Sequence, residues 1–242
     1  MARSAKFILI DVFTSRHFGG NQLAVFTDAS EISSVEMQVL ARELNFAEST
    51  FVTTSDETGI TRGVRIFTPK REIPMAGHPT VGTTWVLASR GYIALHSANV
   101  DATLRLGLGP ITVSIASENK KPTFVWMAHR APTFGGIRSD RETIARSLGI
   151  TAADLRDDLP IEIVSTGFPF LFVPVKSKTA IAKCAPNEGA LGALYKPDEQ
   201  RRPIYMFVVN DSDEFGARAR MFAPYGSRWA FACEVVCSYR DN

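Results

Sequence analysis

The sequence predicts an α+β fold made of two similar halves. Three observations carry this. Short apolar–polar alternating segments outnumber the helical ones and follow one another through turns, the order of a mostly antiparallel layer packed with a few helices. A strand–loop–helix junction runs through residues 65–84, RIFTPKREIPMAGHPTVGTT. Finally, two strands end alike, RIFTP at 65–69 and RMFAP at 220–224, an internal echo that points to a duplicated unit.

Taken in order, residues 6–13 form a first strand and 21–27 (NQLAVFT) a second, joined by a loop at 14–20. Ser33-x-x-Glu36 is a capping box. The helix after it places Met37, Leu40, Ala41 and Leu44 on one face and ends near Asn45. A strand at 50–54 turns through 55–59 into the strand that ends at Phe67. After Pro79 the pattern is helical, with Val81, Trp85 and Ala88 on one face and Gly91 as the stop. A hairpin of 103–108 and 111–116 turns at Gly109-Pro110. The polar run 117–121 (SENKK) reads as a linker, giving an N-terminal lobe at 1–118 and a C-terminal lobe at 119–242. Beyond it come a strand at 123–128, a helix capped by Ser139-x-x-Glu142 and stopped at Gly149, and strands at 161–164 and 168–175. A helical stretch at 180–195, broken at Pro186, precedes strands at 204–209 and 217–222. The echo predicts a glycine-rich loop and a helix after RMFAP. The chain instead reads SRWAFACEVVCSYRDN, so the second lobe is expected to be incomplete, its tail forming one edge strand at 233–239.

Composition excludes several classes. The formal net charge is +2 with Lys and Arg scattered, which gives no electrostatic case for nucleic acid. No apolar run reaches the roughly 20 residues of a membrane span. The N-terminal apolar run alternates into Asp11 and reads as a strand, not a signal peptide. Cys184, Cys233 and Cys237 form no CxxC and no disulfide framework, which favours a reducing cytoplasm. His17, His78, His96 and His129 are far apart with no HxxxH, so no metal site is expected. There is no GxSxG elbow, no P-loop and no GxGxxG after a strand, and no nicotinamide, flavin or pyridoxal signature. No cofactor is expected.

The junction carries the candidate site. With Pro79 at the first helical position, the N–H groups of Thr80, Val81 and Gly82 would point out of the helix start and attract a carboxylate or phosphate. His78 sits at that cap with a side chain able to carry a proton near neutral pH. A plain strand–loop–helix junction with an exposed histidine fits the spacing as well. Glu48, between an amphipathic helix and an apolar strand, is a candidate base if buried; the residues alone favour a solvated glutamate at a helix exit. Asp11, in an apolar strand, is more in keeping with a hydrogen bond to a backbone turn than with the site. Asn21, after Gly19-Gly20, fits a turn.

The segments DVFTSRHFGGNQLAVF, ARELNFAESTFV and RIFTPKREIPMAGHPTVGT resemble the signatures of the phenazine-biosynthesis PhzF-like isomerases, closely over residues 6–91 and loosely over 160–224. The resemblance implies a diaminopimelate epimerase-like fold: two similar lobes, each a mostly antiparallel sheet wrapped around a central helix, with the active site between them. It implies Glu48, in Asn45-Phe46-Ala47-Glu48, as the catalytic glutamate and His78 as its companion at the helix start. Gly77 and the N–H groups after Pro79 match the family's carboxylate-binding turn, which makes Asn21, Gly77, Thr80 and Val81 the expected substrate contacts. It further implies a cofactor-independent isomerase of a small cyclic or conjugated carboxylic acid, trans-2,3-dihydro-3-hydroxyanthranilate being the family's named example, in a homodimer. The cysteines fall outside the positions that thiol-using epimerases of this fold employ. The family's second-half signature, which supplies an aspartate, a serine and the second helix start, has no match from Gly226 onward. A frameshift, a truncation or divergence would each produce such a tail. The contrasting expectation is a small-carboxylate binding protein or a folded remnant without catalysis.

Overall fold

The computed structural model describes residues 4–195, 201–209, 217–225 and 228–237. It divides into two units, Met1–Arg130 and Ala131–Asn242. The boundary expected at 118/119 is therefore corrected to 130/131. The polar run read as a linker is a tight hairpin turn, with Asn119 and Lys120 both left-handed (φ 51° and 60°), and the strand after it pairs back onto the strand before it.

In the first unit the strands are β1 (Ile8–Val12), β2 (Asn21–Phe26), β3 (Glu48–Thr53), β4 (Arg62–Phe67), β5 (Glu72–Ile73), β6 (Asn99–Leu106), β7 (Gly109–Glu118) and β8 (Lys121–Met127). They form one sheet in the order β1-β2-β3-β4-β6-β7-β8, with β5 paired to β4. All pairs are antiparallel except β2–β3 and β4–β6. Helix α1 (Ser34–Leu44) has the expected capping box at Ser33 and Glu36 and ends at Asn45 in the left-handed conformation (φ 54°). It packs on one face of the sheet over Phe26, Phe51 and Phe67.

Helix α2 (Gly77–Ser89) lies against the other face. It touches β1, β2, β3, β7 and β8, strands from both ends of the sheet, so the sheet curls around it. Its first turn begins at Gly77, two residues before the predicted start, with Ala76 extended as the cap. Pro79 is thus the third helical residue, where its missing N–H is still an orphan donor. The predicted apolar face is also corrected: Trp85 is 39% exposed, while Gly82, Thr83, Thr84, Val86, Leu87 and Ala88 are buried. A central helix is covered on most of its circumference, so a one-sided stripe is not the signal it leaves.

In the second unit, β9 (Thr133–Ile137), β10 (Glu162–Ser165), β11 (Pro169–Pro174), β12 (Ile204–Val209), β13 (Ala217–Tyr225) and β14 (Arg228–Cys237) form a sheet in the order β14-β13-β12-β11-β10-β9. Helices α3 (Arg141–Ser147), α4 (Lys178–Lys183) and α5 (Glu188–Ala193) cover one face through a core containing Ile144, Leu148, Leu171, Ile181, Leu191, Ile204 and Met206. The cap predicted at Ser139 falls instead on Asp140. Its carboxylate is held by Arg138 at 2.6 and 2.9 Å and makes no cap bond.

The internal echo is a repeat in topology. In the first unit β1–β2 is antiparallel, β2–β3 parallel and β3–β4 antiparallel. Strands β10 to β13 repeat that sequence of pairings. Arg65 lies over the Phe67 ring at 5.1 Å and Arg220 over Phe222 at 5.2 Å, so the two echo motifs fold alike. Aligning them through their registers (Ser49 opposite Phe67, Ile204 opposite Phe222) sets Thr50 against Tyr205 and Val25 against Phe172. The face that α2 fills in the first unit is therefore lined in the second by Phe170, Phe172, Tyr205 and Phe207, a partly covered chain of touching rings. Among the described residues no helix follows β13; the chain turns back as the edge strand β14, as the tail's β-prone residues predict. The end of the predicted tail strand, beyond Cys237, lies outside the described residues.

Candidate active site

Three element ends meet in the first unit. Leu23 near the start of β2 pairs with Glu48 at the start of β3. The main chain of Gln22 hydrogen-bonds the imidazole of His78, in the first turn of α2. Glu48 Oε2 stands 3.5 Å from His78 Nε2, and both residues are 8% exposed. Glu48 is thus strand-borne and buried, not solvated at the exit of α1.

Burial sets the charge state of this pair. It pushes the Glu48 carboxyl up to about 7 and the His78 imidazole down to about 4. A true ion pair would shift both groups the opposite way, so the 3.5 Å contact is not a salt bridge at neutral pH. The histidine Nε2 has no hydrogen-bond partner. The neutral ring accordingly carries its proton on Nδ1, toward the Gln22 carbonyl, and presents an Nε2 lone pair to Glu48. Burial thus favours the proton on Glu48 over His78. Glu48 holds the mobile proton, and His78 is a neutral polar neighbour.

The start of α2 has no side-chain cap. Gly77 and His78, in its first turn, have no intrahelical acceptor for their N–H groups. A Cβ added at Gly77 would meet nothing within 4 Å, so this end faces open space. The free donors are one turn earlier than predicted. The Thr80 N–H and hydroxyl both return to the Ala76 carbonyl, at 3.4 and 2.7 Å, and Thr80 is fully buried. Val81 is partly buried one residue further along. Asn21 is partly buried at the start of β2, beside the Gln22 main chain that meets His78.

Asp11 has the structural task anticipated: its carboxylate accepts the Phe18 N–H at 2.9 Å and braces the β1–β2 loop, where Phe13 and Phe18 are both left-handed. Cys184 is buried at the end of α4 with its thiol pushed up to about 11 by burial, an unreactive sulfur. Among the described residues, no three His, Cys, Asp or Glu side chains cluster as metal ligands, and no helix is long and apolar enough to cross a membrane. The registers set Pro203 where Glu48 stands in the first unit, so the repeat carries its acid once. One contributor was missed from sequence: Thr83, which joins α2 to β3 and left no signal in hydrophobic periodicity.

A curled sheet around a central helix is an epimerase-like fold, here with a buried carboxyl at the helix start. The solved probable proline racemase of Agrobacterium radiobacter shares this fold (TM-score 0.59, 13% identity, 94% of this chain and 72% of that one). The solved PhzF-family phenazine biosynthesis protein of Bacillus anthracis is much nearer, at TM-score 0.81 and 27% identity over 93% of this chain and 74% of that one. In sequence, the chain is 33% identical to the trans-2,3-dihydro-3-hydroxyanthranilate isomerase of Pseudomonas chlororaphis over 91% of this chain and 72% of that enzyme. The family described as phenazine biosynthesis-like protein matches residues 10–227. The chain belongs to that family and is an isomerase.

Proposed function

We propose that the chain is a cofactor-independent isomerase of a small cyclic or conjugated carboxylic acid, with Glu48 as its acid–base group. The carrying observation is the Glu48 carboxyl, buried beside a neutral His78 and pushed up to about 7. A general base is most effective when its pKa lies near the working pH, because it then both takes and returns a proton readily. The ionised carboxylate removes a proton from a substrate carbon, and the resulting carboxylic acid delivers it to another carbon of the same molecule. The substrate carboxylate docks on the Gly77 and His78 N–H groups at the α2 start, where the helix dipole favours an anion. His78 orients the acid, and Asn21 and Val81 border the site.

The type reaction is that of the trans-2,3-dihydro-3-hydroxyanthranilate isomerases, which makes phenazine biosynthesis the first pathway to test. We place the protein in the cytoplasm as a homodimer that binds neither nucleic acid nor membrane; a monomer in sedimentation at micromolar concentration would count against the dimer. Glu48→Gln should keep the fold and ligand binding and lose at least about 10²-fold in turnover of trans-2,3-dihydro-3-hydroxyanthranilate. A variant with unchanged turnover would remove Glu48 from the role.

A second reading has its own observation. Among the described residues no helix follows β13, so α2 has no topological counterpart there. A protein that binds small carboxylates without transforming them would retain the anion site at the α2 start. Calorimetry with 3-hydroxyanthranilate, alongside the turnover assay, separates the two: binding without isomerisation favours the second reading, and turnover excludes it.

A further inference from the structure

Helix α2 carries three buried threonines, at 80, 83 and 84. Two of them bond within their own helix: Thr80 Oγ1 donates to the Ala76 carbonyl at 2.7 Å and Thr84 Oγ1 to the Thr80 carbonyl at 2.8 Å. Thr83 does otherwise. Its Oγ1 lies 2.8 Å from Thr50 Oγ1, on β3. Thr50 Oγ1 also reaches the Ala24 carbonyl of β2 at 3.4 Å. The two hydroxyls share one bond between the helix and the sheet, in which either oxygen can donate. Both threonines are fully buried, so neither hydroxyl has water as an alternative partner.

The placement of this bond gives it a consequence at the site. Thr50 follows Glu48 by two residues on the same face of β3, roughly 7 Å along the strand. Thr83 follows His78 by five residues on α2, roughly 7.5 Å along the helix axis. The Thr50–Thr83 bond and the Glu48–His78 contact both join the same strand to the same helix, the two helix positions standing about 140° apart around its axis. We infer that Thr83 is a positioning residue: its hydroxyl, bound to Thr50, sets the separation between the strand that carries Glu48 and the helix that carries His78. Dispersion contacts with Leu23 and Val25 hold α2 against the sheet and carry little directionality of their own. The hydroxyl bond supplies that directionality.

This inference rests on Glu48 as the acid–base group, and its test separates the two. The wild-type protein, Thr83→Val and Thr83→Ser are labelled with carboxyl-¹³C glutamate, and Glu48 is titrated by NMR, its resonance assigned by its loss in Glu48→Gln. Burial is what raises the Glu48 carboxyl, so its titration reads the dryness between the strand and the helix. Thr83→Val keeps the side-chain shape and removes the bond. It should lower the Glu48 midpoint from about 7 toward its ordinary value near 4.5, as water enters between strand and helix. Thr83→Ser, which retains the hydroxyl, should restore the wild-type midpoint. A Thr83→Val protein that melts earlier but titrates as wild type would assign Thr83 a structural role only and overturn the inference. If Thr83→Val does not fold, Thr50→Val breaks the same bond from the strand side and is read by the same criterion. A wild-type midpoint near 4.5 would instead overturn the reading of Glu48 itself.

Discussion

Glu48 Oε2 lies 3.5 Å from His78 Nε2, yet burial drives their proton affinities apart in the sense that leaves both uncharged near neutrality. This relationship gives stability a characteristic dependence on pH. Glu48 in the folded protein holds its proton more tightly than in the unfolded chain, so it lowers stability as pH rises from 4.5 to about 7. His78 holds its proton less tightly when folded, so it lowers stability as pH falls from 6.5 to about 4. Over pH 4.5–6.5 the two slopes oppose each other. Glu48→Gln removes one of them, and the stability of that variant relative to wild type should rise across this interval, by at most about 1.4 kcal/mol per pH unit. Urea unfolding of both proteins at pH 5 and 6.5 checks this; a constant difference would contradict the assigned shifts.

Catalysis should follow the same group. If ionised Glu48 is the form that accepts the substrate proton, kcat/KM rises with pH through an apparent pKa near 7 and levels above it. A profile that is flat from pH 5.5 to 8 would place the base elsewhere.

The seating of α2 depends on Gly82. A Cβ there would lie 2.6 Å from Val12 Cγ2 and 2.8 Å from Leu23 Cδ2, both in a filled core. Gly82→Ala gains helix propensity but must push α2 off β1 and β2, and we expect a net loss of about 1–3 kcal/mol in denaturant unfolding. A stabilised variant would show that the helix is loosely held.

The two faces of the second sheet should respond differently to truncation. Met206 and Leu171 are sealed beneath α3, α4 and α5, and Met206→Ala should cost about 2–5 kcal/mol. Phe172, on the face without a helix, is only partly covered, and Phe172→Ala should cost clearly less despite removing a larger side chain. Equal losses, measured on one denaturant scale, would mean that this face is covered as well as the other.

Much of this was legible in the sequence because it depends on local chemistry. Ser33 and Glu36 gave the start of α1, Asn45 its end, and the RIFTP and RMFAP strands the repeat, since caps and alternation act within a few residues. His78 was singled out by the spacing of the junction, and Glu48 and Gly77 gained their expected roles through family resemblance; the convergence of the three depends on the pairing of β2 with β3 and on where α2 begins, which no local pattern encodes. The linker at 117–121 was misread because a polar, lysine-rich run serves a hairpin turn as well as a boundary. Trp85 was misplaced because a helix enclosed by a curled sheet has no single apolar stripe. The Thr50–Thr83 bond was invisible because two mid-element threonines 33 residues apart declare themselves only once strand and helix are packed.

The most direct measurement is the titration of the Glu48 carboxyl in the wild-type chain by ¹³C NMR between pH 4 and 9, which requires no assumption about the substrate. Glu48 should titrate with a midpoint near 7, with the His78 ring neutral throughout that transition. A Glu48 midpoint near 4.5 together with a His78 midpoint near 6.5 would mean a hydrated, ordinary pair, and would contradict Glu48 as the poised acid–base group.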